Sequence, residues 1–198
     1  MFLEDIVISR VRVKILNLFL QNPAQIYHVR EVVRRTEEEI NAVRRELAHL
    51  EQAGMLSKEQ RANRLYYSFR RDYPLYHDLR CIIIKTSNLG AAILKNKNKI
   101  GKIRYAMFSG RYINNQPYDP EKVDLLVVGQ VVLPELGVLV RQEEQLRGHE
   151  INYTVMTEEE FSFRKRRRDP FIINILSGGR LMLIGDEEEM LKVSEKPL

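Results

Sequence analysis

The 198-residue chain is 44% hydrophobic and 30% charged, with a formal net charge of +5, the composition of a globular protein with room for one large domain or two small ones. A lone cysteine, Cys81, excludes an internal disulfide, no run reaches the ~20 apolar residues of a membrane span, and the acidic opening MFLEDIVISR argues against a signal peptide, so the expected location is the cytoplasm. Residues 1–99 carry 18 Lys and Arg against 11 Asp and Glu, and residues 100–198 carry 14 against 16, which implies a basic amino-terminal part suited to a polyanion.

Val11, Ile15, Leu18 and Phe19 recur on one face of an amphipathic helix that ends near QNPA (21–24). YHVREVVRR (27–35) predicts a short second helix burying Val29, Val32 and Val33. In TEEEINAVRRELAHLEQAG (36–54), Thr36 and Glu39 have capping-box spacing, Gly54 is placed as a stop, and Ile40, Val43, Leu47 and Leu50 form an apolar stripe. MLSKEQ (55–60) and RLYYSF (64–69) predict two strands joined through RAN (61–63), a short basic hairpin.

Three helices followed by a hairpin is the order of a winged helix-turn-helix domain. NAVRRELAHLEQAGML (41–56) resembles the recognition helix of small bacterial repressors, which share the cadence xxVxxxLxxLxxxGL. The resemblance covers roughly residues 8–70 and implies double-stranded DNA as the partner. A recognition helix offers its amino-terminal half to base edges, and there the candidates are Asn41, Arg44 and Arg45, with His49 further along. Arg61 and Arg64 stand at the wing, within reach of phosphate or the minor groove. The bland expectation makes Arg44 and Arg45 only the solvated side of a core helix. Glu37, Glu38 and Glu39 stabilise the helix dipole but repel phosphate unless they point away.

Residues 72–96 predict one long helix. Leu75, Leu79, Ile82, Thr86, Leu89 and Ile93 run along it at near-heptad spacing, fit either for packing on its own domain or for the seam of a homodimer. NKNKIGK (96–102) is polar enough for a linker. The expected organisation is a DNA-binding domain over 1–70, a connecting or dimerisation helix with linker over 71–99, and a second domain over 100–198.

That second domain alternates strands and helices: KIRYAMFSG (102–110), a polar loop (111–121), VDLLVVG (123–129), a helix over 133–148 with Pro134 early and Gly148 past its end, EINYTVMT (150–157), a helix capped by Asp169, and a last strand RLMLIG (180–185). The expected class is α+β, the carboxy-terminal part being a small α/β domain with a mixed sheet.

Over about residues 100–186 this outline resembles the minimal nucleotidyltransferase domain, whose motif is Gly-Ser, a loop, then Ser-Asp-x-Asp before apolar residues like LLVVG. On that likeness Gly110 is retained, Arg111 replaces the serine, Lys122 replaces the first aspartate, and Asp124 is the second. The family's chemistry needs carboxylates on one strand face and a third nearby. Positions two apart share a face, yet the neighbours of Asp124 at that spacing are Lys122 and Leu126, while Glu121 and Asp119 fall at odd offsets. Segment 151–157 holds no acid. The implication is a catalytically inactive domain without metal or cofactor.

Gly110, Arg111, Lys122 and Asp124 are instead candidates for a vestigial site holding a nucleotide or another anionic effector, because glycine allows close approach and an arginine fork suits phosphate. The simpler expectation is that Lys122 pairs with Asp124, Arg111 is solvated and the pocket is filled. FRKRRRDP (163–170) has five consecutive cations, read as a solvated helix face or a nucleic-acid contact. The four histidines lack metal spacing with Cys81, and SGG (177–179) reads as a helix stop. Together these features point to a dimeric DNA-binding transcriptional regulator with a pseudoenzyme domain. The alternatives are an active metal-dependent nucleotidyltransferase of toxin–antitoxin type with an accessory winged helix, and an adaptor binding proteins through both domains.

Overall fold

Ser9 opens the first helix, α1 (Arg10–Gln21), its hydroxyl accepting the Arg12 N–H and satisfying a donor that a helix start leaves free. The computed structural model describes residues 9–192; residues 1–8, most of the segment read as lacking a signal peptide, lie outside them. The chain is α+β and divides between Ser87 and Asn88 into two units. With that boundary Lys95, Lys97 and Lys99 fall in the second unit, and the charge contrast expected of the two halves shrinks to +4 against +1. Among the described residues no helix is long and apolar enough to cross a membrane.

In the first unit α1 is followed by β1 (Tyr27–His28), α2 (Val29–Thr36), α3 (Ile40–Gln52), β2 (Leu56–Arg61), β3 (Arg64–Phe69) and α4 (Tyr76–Thr86). The strands form an antiparallel sheet in the order β1-β3-β2. Ile15, Phe19, Val32, Val43, Leu47 and Leu50 are buried in one core with Tyr67, Phe69, Tyr76 and Ile83.

Two expectations are corrected here. Tyr27 and His28 do not start the second helix; they form a strand in which Tyr27 pairs with Tyr67 and packs edge-on against Phe19 at 5.2 Å. His28 then caps α2, its ring nitrogen accepting the Glu31 N–H. Thr36 forms no capping box. It is the last residue of α2, buried, with its hydroxyl donating to the Val32 carbonyl, and Glu39 caps α3 by accepting the N–H groups of Asn41 and Ala42. The stop at Gly54 does form: its φ is +75, and Met55 and Gly54 donate to the carbonyls of Leu50 and Glu51, returning the orphan carbonyls of the last turn.

The long helix over 72–96 breaks in two. Ser87 is extended, Asn88 is left-handed at φ +50, and the Ser87 hydroxyl donates to the Ile83 carbonyl in place of a continuing backbone bond. The heptad stripe therefore splits. Leu75 and Ile82 are exposed at 52% and 39% on the first unit, while Leu89 and Ile93 are core residues of the second.

The second unit runs α5 (Asn88–Ile100), β4 (Gly101–Ser109), α6 (Gly110–Ile113), β5 (Leu125–Val131), α7 (Leu133–Arg147), β6 (Tyr153–Met156), α8 (Glu158–Arg166), α9 (Pro170–Ser177), β7 (Arg180–Ile184) and α10 (Glu187–Leu191). Its mixed four-stranded sheet has the order β6-β5-β4-β7, with β5 and β6 parallel and the other pairs antiparallel. Met107, Leu126 and Val128 meet Met156, Phe161, Ile172 and Met190 on one face. Ala106, Phe108, Leu125 and Val127 alternate onto the other face and are fully buried as well.

NKNKIGK is not a linker. It closes α5 and starts β4, and Ile100 is completely buried with its carbonyl accepting the Val132 N–H. Strand β5 also outruns its expected end at Gly129 and continues to Val131. Gly129 sits at φ +144 where β4 and β5 slip register, and a Cβ there would lie 2.2 Å from the Lys102 carbonyl oxygen. Helix α6, at the start of the expected polar loop, and α10 are two further elements that the sequence pattern does not announce.

Candidate functional site

In the first unit, the side of α3 away from the core carries the candidate residues. Val43, Leu47 and Leu50 are buried, whereas Asn41, Arg44, Arg45 and His49 are exposed. Spacings of three and four place Asn41, Arg44 and Arg45 in neighbouring rows of the helix surface, with His49 one turn beyond Arg45. None of these four side chains is drawn into an ion pair among the described residues.

The acids beside them are occupied. Lys14 of α1 pairs with Glu38 at 2.5 Å. Glu39 is turned onto its own helix, and its hydrogen bonds from the Asn41 and Ala42 N–H groups, with smaller help from Arg45 and Arg44, hold its carboxyl below the ordinary value. Glu46 is bound by the Ser9 hydroxyl at 2.6 Å and by Arg12 at 2.8 Å. Of the three glutamates expected to oppose phosphate, only Glu37 is left exposed without a pairing among the described residues. Nothing in the sequence singles out Lys14 for this part, because its partner lies on another helix and spacing along α1 carries no sign of it.

The hairpin tip presents its two arginines unequally. Arg61 donates to Glu59 at 2.8 Å and lies over the Tyr66 ring at 5.4 Å, whereas Arg64, paired with it in register, is exposed and uncommitted among the described residues.

In the second unit, Gly110, Arg111 and Lys122 line one cleft of about 450 Å³, together with Ser109, Asn114, Glu121, Phe171, Asn174 and the Gly178–Gly179 segment. Asp124 is not on its wall but beneath it, 6% exposed. The Gly110 N–H donates to the Gly179 carbonyl at 2.5 Å, and a Cβ on Gly110 would stand 3.0 Å from that oxygen. Glycine at 110 therefore serves close backbone packing against the SGG segment.

The expected pairing of Lys122 with Asp124 is corrected. Strand β5 begins at Leu125, and Lys122 belongs to the preceding turn, where its N–H donates to the Asp119 carbonyl. The alternation that would put positions 122 and 124 on one strand face does not operate in a turn. Lys122 is exposed into the cleft without an ion-pair partner among the described residues. Arg111, expected to be solvated, is the group that meets Asp124: Nε lies 3.8 Å from Oδ1. The same guanidinium donates to the Pro117 carbonyl at 2.6 Å and pairs with Asp119 at 3.5 Å.

Asp124 is held from its other side by the Asn152 N–H at 3.1 Å. Two carboxylates thus converge, Asp119 and Asp124, but on an arginine. An odd offset sets Asp119 aside only where the strand runs straight; the Asp-Pro pair at 119–120 is the available sign of a turn, and Asp119 accepts the Glu121 N–H there. Among the described residues no group of three or more His, Cys, Asp or Glu is placed to hold a metal ion.

Comparison with family models, with curated proteins and with solved structures finds no match to this chain.

Proposed function

We propose that the chain is a sequence-specific DNA-binding transcriptional regulator, its first unit a winged helix-turn-helix domain and its second a nucleotidyltransferase-like domain without catalytic function. The observation that carries this reading is the exposed row Asn41, Arg44, Arg45 and His49 on α3; beside it Glu38 and Glu46 are paired with α1, Glu39 serves as the helix cap, and Glu37 alone of these acids is left exposed without a pairing among the described residues. Arginine and asparagine make the bidentate contacts that distinguish base pairs in the major groove. Arg64 at the hairpin tip adds an uncommitted cation for the backbone, and Arg61 is a weaker contributor because Glu59 already holds it.

The inactive reading of the second unit is supported by Arg111, which fills the space between Asp119 and Asp124 with a permanent positive charge. The cleft beside it suits an anionic effector, a nucleotide included, with Lys122 as its free cation. A homodimer fits the paired half-sites such regulators read, and the apolar residues offered for it are Leu75, just before α4, and Ile82 within it.

Sequencing of genomic fragments retained by the purified chain at physiological salt tests the proposal. A recurrent motif, lost with Arg44→Ala/Arg45→Ala, is the expected result. Retention without sequence preference, or retention that survives the double substitution, defeats it.

A further inference from the structure

The cationic run 164–168 is not one surface. Arg164 is held by Glu160 at 2.9 Å and by Asp169 at 3.2 Å. Lys165 turns inward, its ammonium donating to the carbonyls of Met190 and Lys192 at 2.7 Å each, and burial lowers its pKa. What remains is Arg166, Arg167 and Arg168 at the carboxy-terminal end of α8, all exposed and without a carboxylate partner among the described residues. The two nearest acids in sequence are committed: Glu160 to Arg164, and Asp169 to Arg164 and to the Phe171 N–H of α9.

Phe163 stands on the same helix, 51% exposed. The Arg167 guanidinium lies over its ring, 5.1 Å from the centroid. Arg168 is left-handed at φ +52, which turns the chain out of the helix. Phe161 two residues earlier is the one that enters the core, so packing does not account for a second aromatic side chain facing water.

An exposed ring with a stacked guanidinium and a cluster of unneutralised arginines is the chemistry that holds an unpaired base and the phosphates around it. Duplex bases stay stacked on one another and give the ring nothing to bind. Glu158 and Glu159, exposed at the opposite end of α8, repel a polyanion and direct it across the arginine end.

We propose that the carboxy-terminal end of α8 is a platform for single-stranded nucleic acid, with Phe163 stacking on a base and Arg166, Arg167 and Arg168 contacting the flanking phosphates. This surface is independent of duplex reading by α3.

Fluorescence anisotropy of the full chain with labelled oligothymidylate, alone and annealed to oligoadenylate, tests it. In the Arg44→Ala/Arg45→Ala variant, where duplex reading by α3 is removed, the single strand binds more tightly than the duplex. Phe163→Ala weakens the single strand about tenfold with an unchanged salt slope, as expected for lost stacking. Arg166→Ala/Arg167→Ala/Arg168→Ala lowers the slope of log affinity against log salt by about two, the value for three phosphate contacts on a single strand. All these side chains are exposed, and unchanged thermal midpoints of the variants establish that they fold. Arg44→Ala/Arg45→Ala leaves single-strand binding unchanged. Equal binding of oligothymidylate by wild type and the triple arginine variant overturns the proposal, and so does a Phe163→Ala variant with wild-type affinity, which reduces the patch to unspecific charge.

Discussion

The Tyr112 hydroxyl donates to the buried carboxylate of Glu143 at 3.1 Å. The same carboxylate accepts Arg147 Nε at 2.6 Å and the Leu89 N–H at 3.2 Å, so α5, α6 and α7 meet at one acid. Arg147 also covers the Tyr112 ring at 3.8 Å from its centroid, and that ring stacks on Phe108 at 4.0 Å. Burial drives the Tyr112 hydroxyl far above its ordinary pKa, so it stays a donor across the accessible pH range. Glu143→Ala strands an arginine, a hydroxyl and a backbone N–H, and should cost the second unit about 3–5 kcal/mol. Tyr112→Phe, which leaves the ring stack in place, should cost about 1 kcal/mol. Urea unfolding of both variants, followed through amides of β4 and β5, checks the ranking.

The cluster also marks where sequence reading stops. Period and punctuation are enough for α1, α3, β3, α7 and α9, because those elements bury a regular face or are bounded by a marked position, Gly54 and Gly148 at a helix end and Asp169 at a helix start. Glu143 gives no such sign: in a helix pattern it is one polar residue among several, and its burial depends on Tyr112 and Leu89, 31 and 54 residues away. The site is legible as residue types but not as contacts. Gly110, Arg111 and Lys122 do share a cleft, yet Asp124 has a different partner from the expected one because Lys122 lies in the turn Asp119–Lys122 and not on a strand face two positions from Asp124. The broken helix at Ser87 has a similar cause, since a hydroxyl bonding back to Ile83 and a left-handed asparagine interrupt apolar spacing that continues on both sides.

Acid should loosen α3 through two glutamates. Hydrogen bonds from the Asn41 and Ala42 N–H groups hold Glu39 below the ordinary 4.5. Burial pushes Glu46 upward, but the Ser9 hydroxyl and Arg12 outweigh it and leave that carboxyl lowered too. A carboxylate with a depressed folded pKa contributes stability that is full above its unfolded value and lost as pH falls through the folded one. Protection of the Val43 and Leu47 amides, corrected for intrinsic exchange, should hold at neutral pH and fall below about pH 4.5. Glu46→Gln should flatten that fall; an unchanged profile would remove Glu46 from the account.

Gly129 should resist replacement more than any residue on the exposed faces. Its φ is +144, and an alanine Cβ would lie 2.2 Å from the Lys102 carbonyl oxygen, so Gly129→Ala meets both backbone strain and a backbone clash. The expected loss exceeds about 1 kcal/mol. Gly178→Ala, where a Cβ meets nothing within 4 Å, is the matched control and should unfold close to wild type in the same denaturant series.

On duplex DNA, Arg45→Ala and Arg64→Ala should fail in different ways. Arg45 sits in the proposed base-reading row of α3, and its loss should compress the difference between preferred and random sequences. Arg64 is the uncommitted cation of the hairpin, and its loss should weaken every sequence alike and reduce the salt slope by about one. Arg61→Ala should do less than Arg64→Ala because Glu59 already neutralises it. Binding isotherms over a salt series, on preferred and scrambled duplexes, separate the three.

Lys122 decides whether the cleft of the second unit takes an anion. Arg111 cannot lead there, because its fork is spent on Asp119, Asp124 and the Pro117 carbonyl. Lys122 reaches the cleft with no carboxylate partner among the described residues, beside the exposed Phe171 and the polar atoms of Ser109 and Asn174. Calorimetric titration with a nucleoside triphosphate in EDTA should therefore give heat that Lys122→Ala abolishes. Asp124→Asn should not abolish it, since Asp124 lies beneath the wall and repels rather than holds an anion. Its loss frees the Arg111 guanidinium from one of two opposing carboxylates, and affinity should rise a few-fold. Equal heats for wild type and Lys122→Ala would leave the cleft without this role, and a heat that needs added magnesium and disappears with Asp124→Asn would restore the aspartate as a metal ligand.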